Sequence, residues 1–294
     1  MKKFSKQLNR VARSTNLYLK NFFLKQKINS DLLPSMKYGV FSGGKRFRSA
    51  IVVNTGKIFD IDYKKLIILS AAIECIHAYS LIHDDLPSMD NDDLRRGKLT
   101  VHKKFNEFTA MLAGNSLLTL AFEILTCNDL KISHNYRNEL IKTLSMCAGH
   151  SGLAGGQYSD LTFENKNISQ NNIIKMQKKK TGELFGFCCE SIAIVKGVNF
   201  KKRKKLKEMG INIGLLFQIV DDLIDYKGDT LIVGKNTRSD QKRGKATLIS
   251  LIGYKETVNF AKNLKNKIEK EVKKYGGKAN SLLESVDFIL ERKF

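Results

Sequence analysis

The chain has 294 residues, 42% of them hydrophobic, enough for a sizeable core in one large domain or two ordinary ones. Its 51 Lys and Arg against 29 Asp and Glu give a net charge of +22. The lysines are scattered, and the densest run, KKRKKLK at 201–207, lacks the aromatic residues that stack on bases, so a solvated helix start is expected rather than a nucleic-acid partner. The five cysteines, Cys75, Cys127, Cys147, Cys188 and Cys189, form no CxxC pair and sit mostly among apolar residues, which excludes a disulfide scaffold and fits free thiols in a reducing compartment.

The amino terminus has no long apolar segment of the kind that directs secretion. Its lack of acids before Asp31 is a weak transit-peptide trait, but Phe4, Leu8, Val11, Leu17 and Leu19 recur at helical spacing and predict a first structural helix. No run of 18 apolar residues occurs, so no membrane-spanning helix is expected. Helical periodicity continues almost throughout: residues 67–76 and 210–220 read as buried helices, and Phe108, Met111, Leu112, Leu118, Phe122 and Leu125 form one apolar stripe. Pro34 and Pro87 are the two prolines, and no hairpin series is visible. Loops are expected at 42–44, 88–100, 152–172, 227–245 and 275–278. The fold class is all-α, with residues 1–294 forming a single domain.

Chemistry concentrates in two aspartate clusters, DDLPSMD at 84–90 and DDLID at 221–225, each after a long apolar stretch. Clustered carboxylates near a core require cations, and magnesium takes one or two carboxylates before completing its octahedron with water and phosphate oxygens. In the second cluster Gln218, Asp221, Asp222 and Asp225 stand at i, i+3, i+4 and i+7, on one helix face. In the first, Asp84 and Asp90 are too far apart around an unbroken helix, but Pro87 forbids one, so a loop can return Asp90 toward Asp84. His77 shares the face of Asp84 one heptad upstream, and Arg95 with Arg96 follows, suited to a diphosphate and its ions.

GGKRFR at 43–48 supplies Gly44, Lys45 and Arg48; Lys45 and Arg48 are expected to project together from a helix start that favours anions. With Gly39 it nearly matches a P-loop, but Arg46 stands where a Ser or Thr should hold magnesium and no strand precedes it. GGQYSD at 155–160 and KKTGELF at 179–185 are weak alone, and the stretch with Lys235, Asp240 and Lys245 is a candidate phosphate-covering loop. No nucleophilic triad and no zinc spacing is present.

Together GGKRFR, HAYSLIHDDLPSMDNDDLRRG, GGQYSD, KTG, FQIVDDLID and GKNTRSDQKRGKAT resemble the short-chain trans-isoprenyl diphosphate synthases, most of all their bacterial farnesyl-forming branch. The resemblance implies a bundle of ten or more helices around a central cavity, a cytoplasmic homodimer, and head-to-tail condensation of isopentenyl diphosphate with dimethylallyl and then geranyl diphosphate. It further implies about three magnesium ions, with Asp84, Asp90 and Asp221 leading their ligation and Asp85, Asp222 and Asp225 beside them. By the same resemblance Arg95, Lys180 and Lys235 bind the allylic diphosphate, while Gly44, Lys45, Arg48, His77 and Arg96 hold isopentenyl diphosphate. Thr181 and Gln218 stabilise the allylic cation, with Lys180 counted among the catalytic residues.

Tyr79 lies five residues before Asp84, about 7.5 Å along a helix axis, and is the candidate chain-length residue. Ser49 departs from the family pattern, which usually has proline there. The alternatives are a geranylgeranyl (C20) or geranyl (C10) diphosphate synthase of the same fold, and a non-catalytic prenyl-diphosphate-binding subunit. A terpene cyclase would leave Lys45, Arg48 and Arg96 without a second diphosphate to bind, and a nucleic-acid binder would show a steep salt dependence.

Overall fold

The computed structural model describes residues 2–25, 32–227 and 244–292, so Lys235 and Asp240 lie outside the described residues. The chain is all-α: among the described residues the one sheet is a two-residue ribbon, and more than ten α-helices supply the rest. It divides into two compact units, one built from Lys2–Val53 and Asp62–Ser133, the other from Asn54–Ile61 and His134–Phe294.

The first unit holds α1 (Lys2–Lys25), α2 (Leu32–Phe41), the start of α3 (Phe47–Ile58), α4 (Tyr63–Asp84), α5 (Val101–Lys104) and α6 (Glu107–Thr126). Phe4, Leu8, Val11 and Leu19 of α1 are buried, as their spacing predicts, and Phe23 joins them one turn on, whereas Leu17 points to solvent at 60% exposed. Pro34 falls in the first turn of α2, where its missing N–H costs no helical bond. Asp62 caps α4 by accepting from the Lys64 and Lys65 amides at 3.0 and 3.4 Å.

α4 is buried nearly all round and packs chiefly on α6. Both helices are long and apolar enough to cross a membrane, but 83% of the apolar window of α4 lies inside the protein, as befits a core helix. α6 differs. Only 44% of its window is buried; Phe108, Met111 and Leu112 are exposed, and the rest of that stripe is half-buried apart from Leu125. The periodicity marked a real apolar face, but most of that face is not covered by the described residues.

The second unit contains α7 (His134–Ala148), α8 (Leu153–Thr162), α9 (Gln170–Gln177), α10 (Glu183–Lys196), α11 (Phe200–Lys227), α12 (Leu248–Lys273) and α13 (Asn280–Glu291). α10 and α11 are its main packed pair. The basic run at 201–207 opens α11 and is largely solvated, except that Arg203 binds Glu139 at 2.7 Å and Glu190 at 2.8 Å and Lys207 pairs with Glu183 at 3.1 Å. α8 overturns part of the loop expected at 152–172. Its Gly155–Gly156 pair serves packing rather than a turn: a Cβ at Gly156 would lie 2.1 Å from the Lys180 amide nitrogen.

A buried ion pair anchors the first unit. Arg46 Nη1 donates to Glu74 Oε2 at 3.1 Å, with side chains 5% and 2% exposed. Arg46 Nε also reaches Asn16 Oδ1 at 3.0 Å, and Ser49 Oγ donates to Glu74 Oε1 at 2.8 Å. Ser49, where the resemblance expects proline, thus helps satisfy a buried carboxylate. Removing one partner of such a pair strands the other charge. Glu74→Ala is therefore expected to cost about 3–5 kcal/mol, read as a lower urea midpoint, with Arg46→Leu/Glu74→Leu recovering most of it.

Candidate active site

Around the first aspartate cluster the helix stops where Pro87 requires. After Asp85 the chain turns back, and the Asp90 amide donates to the Asp84 carbonyl at 2.8 Å while the Asp92 amide donates to the Asp85 carbonyl at 3.2 Å. Asn91 takes a left-handed φ of 50° within this reversal. Asp84 and Asp90 are thereby brought together, as the spacing argument anticipated.

The chain then forms a ribbon, β1 (Leu94–Arg95) against β2 (Lys98–Leu99), with Arg96 and Gly97 at φ 55° and 72°. Two successive left-handed residues are what a tight hairpin turn needs. The ribbon returns Arg95 to the acids: its Nε donates to Asp85 Oδ1 at 2.7 Å, and its Nη2 pairs with Asp85 and lies 3.6 Å from Asp92. Asp85 is 3% exposed. Burial pushes its carboxyl pKa up, and the Arg95 hydrogen bond and charge partly oppose that shift.

Arg96 projects from the hairpin toward the glycine turn before α3 and donates from Nη1 to the Gly43 carbonyl. Gly44 sits at φ 103°, and a Cβ there would come within 2.5 Å of Arg96 Nη1. Glycine is needed for the backbone angle, and its missing side chain leaves room for the cation. Lys45 precedes the first residue of α3, so it and Arg48 are not two positions on one helix; Lys45 is exposed and Arg48 half-buried. Arg46 between them turns inward to Glu74, at φ 52°.

Burial, and then the charges of Arg48, Arg96, Arg46 and Arg95, hold the His77 imidazole well below its ordinary pKa. It is neutral near pH 7 and offers an N–H donor rather than another charge. Tyr79 is 7% exposed and meets His83 edge-on at 5.7 Å between ring centroids. Burial and the Asp84 charge push its phenol up to about 12, which leaves an uncharged, bulky side chain.

In the second unit the expected helix face is realised on α11. Asp222 and Asp225 are buried, while the Asp221 side chain is 42% exposed. Residues 178–182 form a wide π-helical turn, a local irregularity that often marks functional positions. It carries Lys180 and Thr181. Thr181 Oγ1 donates to Gln218 Oε1 at 2.8 Å, Gln218 Nε2 donates to Asp222 Oδ1 at 2.8 Å, and Gln177 Nε2 donates to Asp222 Oδ2 at 2.7 Å. Lys180 Nζ meets Asp160 Oδ2 at 2.6 Å, and Lys245 Nζ lies 3.8 Å from the same oxygen.

Sequence reasoning missed Glu74, Asp160, Gln177 and Arg292, the last bound to Asp221 at 2.6 Å. Asp160 was visible in GGQYSD, yet no spacing rule ties it to Lys180 twenty positions on. Among the described residues no three or more His, Cys, Asp or Glu side chains converge into a ready-made metal cage.

The geometry can be set beside known proteins. A family model described as polyprenyl synthetase matches residues 29–285. Farnesyl diphosphate synthase of Escherichia coli K12 is 37% identical over 98% of this chain and 99% of its own length. A crystal structure of an FPP/GFPP synthase from Zymomonas mobilis is 38% identical, with a TM-score of 0.86 over 98% of this chain and 100% of that one. A geranyltransferase from Helicobacter pylori, complexed with magnesium and isoprenyl diphosphate, is 31% identical, with a TM-score of 0.84 over 98% of this chain and 96% of that one. With its fold and nearly its whole length in common with these proteins, the chain belongs to the polyprenyl synthetase family.

Proposed function

We propose that the protein is a prenyltransferase that joins isopentenyl diphosphate head-to-tail to dimethylallyl and then geranyl diphosphate, giving (2E,6E)-farnesyl diphosphate. The observation that carries this reading is the reversal after Asp85, which joins Asp84 to Asp90 through a backbone hydrogen bond and presents Arg95 from the same hairpin. The E. coli relative is a farnesyl diphosphate synthase.

The family depends on metal ions, and the donors here fit magnesium: Asp84, Asp90 and Asp221 as leading ligands, with Asp85, Asp222 and Asp225 supporting, for about three ions in all. When bound, magnesium neutralises diphosphate oxygens and so eases departure of the leaving group. The chain's own residues do the rest. Arg95 and Lys180 bind the allylic diphosphate, with Lys235 in the same role, and Gly44, Lys45, Arg48, His77 and Arg96 hold isopentenyl diphosphate. Thr181 and Gln218, fixed by their mutual hydrogen bond and by Asp222, direct oxygen dipoles at the developing allylic cation. Residues 1–294 act as one catalytic domain. Free buried thiols support a cytoplasmic setting.

The uncovered face of α6 supports a homodimer. Phe108 and Leu112, one turn apart and 69% and 50% exposed, would meet a second copy of the helix. Phe108→Lys/Leu112→Glu is expected to halve the mass measured by light scattering, and an unchanged mass would remove this assignment.

Purified protein with magnesium, labelled isopentenyl diphosphate and each allylic primer is expected to yield a C15 product, and EDTA to abolish it. Absence of turnover with every primer would defeat the reading. Asp84→Ala and Asp221→Ala are each expected to lower kcat about 10²–10³-fold, measured under saturating magnesium. Tyr79→Ala removes the bulky side chain below Asp84 and is expected to shift chromatographed products beyond C15; an unchanged C15 profile would show that chain length is set elsewhere.

A further inference from the structure

The last described residue of the chain holds the leading carboxylate of the second aspartate cluster. α13 ends at Glu291, and Arg292 leaves it with extended backbone, φ −62° and ψ 118°. Its guanidinium then makes three contacts on α11. Nη1 donates to Asp221 Oδ1 at 2.6 Å, Nη2 donates to the Phe217 carbonyl at 3.2 Å, and the plane lies over the Phe217 ring, 4.1 Å from its centroid. Nε adds a bond to the Ile289 carbonyl at 3.3 Å. Phe217 and Asp221 are one helical turn apart, so the planar cation spans consecutive positions of the same face.

We propose that Arg292 is a protein-borne counter-cation for Asp221 that a divalent ion arriving with diphosphate must displace. This inference rests on Asp221 being a metal ligand, as the functional reading has it. A guanidinium cannot lose its proton to make way, so the pair opens only by movement of the side chain. Its full positive charge beside Asp221 opposes a second cation there, and its hydrogen bond occupies an oxygen that a magnesium ion would approach at about 2.1 Å. Arg292 sits just beyond a helix end, 16% exposed, where a change of rotamer disturbs no helical hydrogen bond. Until displacement it keeps the carboxylate neutralised and oriented; afterwards the chain end is released from α11.

Calorimetry with manganese and inorganic diphosphate, without an allylic substrate, tests this directly. Because a partly exposed ion pair is worth a factor of about two to five, Arg292→Gln is expected to bind manganese–diphosphate about two- to fivefold more tightly than wild type, with Arg292→Lys between them. Hydrogen exchange supplies a second readout: magnesium with diphosphate is expected to speed exchange at the end of α13 in wild type, while Arg292→Gln exchanges fast from the start. Equal or weaker binding by Arg292→Gln, or exchange that ignores the ligand, overturns the proposal and leaves the functional reading intact. Failure of wild type itself to bind manganese–diphosphate overturns both.

Discussion

A carboxylate withdrawn from water has to be neutralised, and this requirement organises both units. Glu74 is met by Arg46, Asp85 by Arg95 and Asp160 by Lys180, and the more exposed Asp221 is paired with Arg292. Asp222 is met by the amides of Gln177 and Gln218. The charged partners come from loops and turns, whereas Gln177 and Gln218 lie on α9 and α11; four of these carboxylates sit on helices and Asp85 at a helix end. Each ion pair therefore pins an irregular segment to a regular one: the glycine turn before α3, the 94–99 hairpin, the π-turn at 178–182 and the end of α13. An irregular backbone gains a fixed geometry when its charge has one acceptable place to rest.

Pairing in advance also suits the proposed chemistry. A site for diphosphates and divalent ions carries many charges of both signs, and without partners these would repel or recruit water. Preorganised donors cost no reorientation when charge develops on a leaving group. The neutral state of His77 follows the same logic, because burial first and then the neighbouring arginines disfavour a further cation. What differs among the pairs is burial. Arg46 and Glu74 are enclosed and serve architecture; Arg292 and Asp221 are accessible and can exchange partners.

Burial also separates the two most apolar long helices. α4 is covered on nearly every side and delivers the first aspartates at its end, whereas α6 keeps an apolar stripe uncovered. Helical periodicity is identical evidence in both cases. It reports that a face prefers not to meet water, and it is silent about whether the cover comes from the same chain.

The sequence by itself determined the all-α class, the two aspartate clusters, the break at Pro87 and the shared face of Gln218, Asp221, Asp222 and Asp225, because each follows from local geometry: 3.6 residues per turn, a ring that cannot continue a helix, and like charges close in sequence. Tertiary structure alone decided which cation rests on which carboxylate. Arg46 turns inward between Lys45 and Arg48, Asp160 receives Lys180, and Arg292 reaches Asp221 from 71 positions away. It also recast 153–162 as helix, since Gly156 there answers to the close approach of Lys180 rather than to a local turn. Local rules act over a turn or two of helix, whereas charge pairing acts through space and is fixed only once the helices have packed.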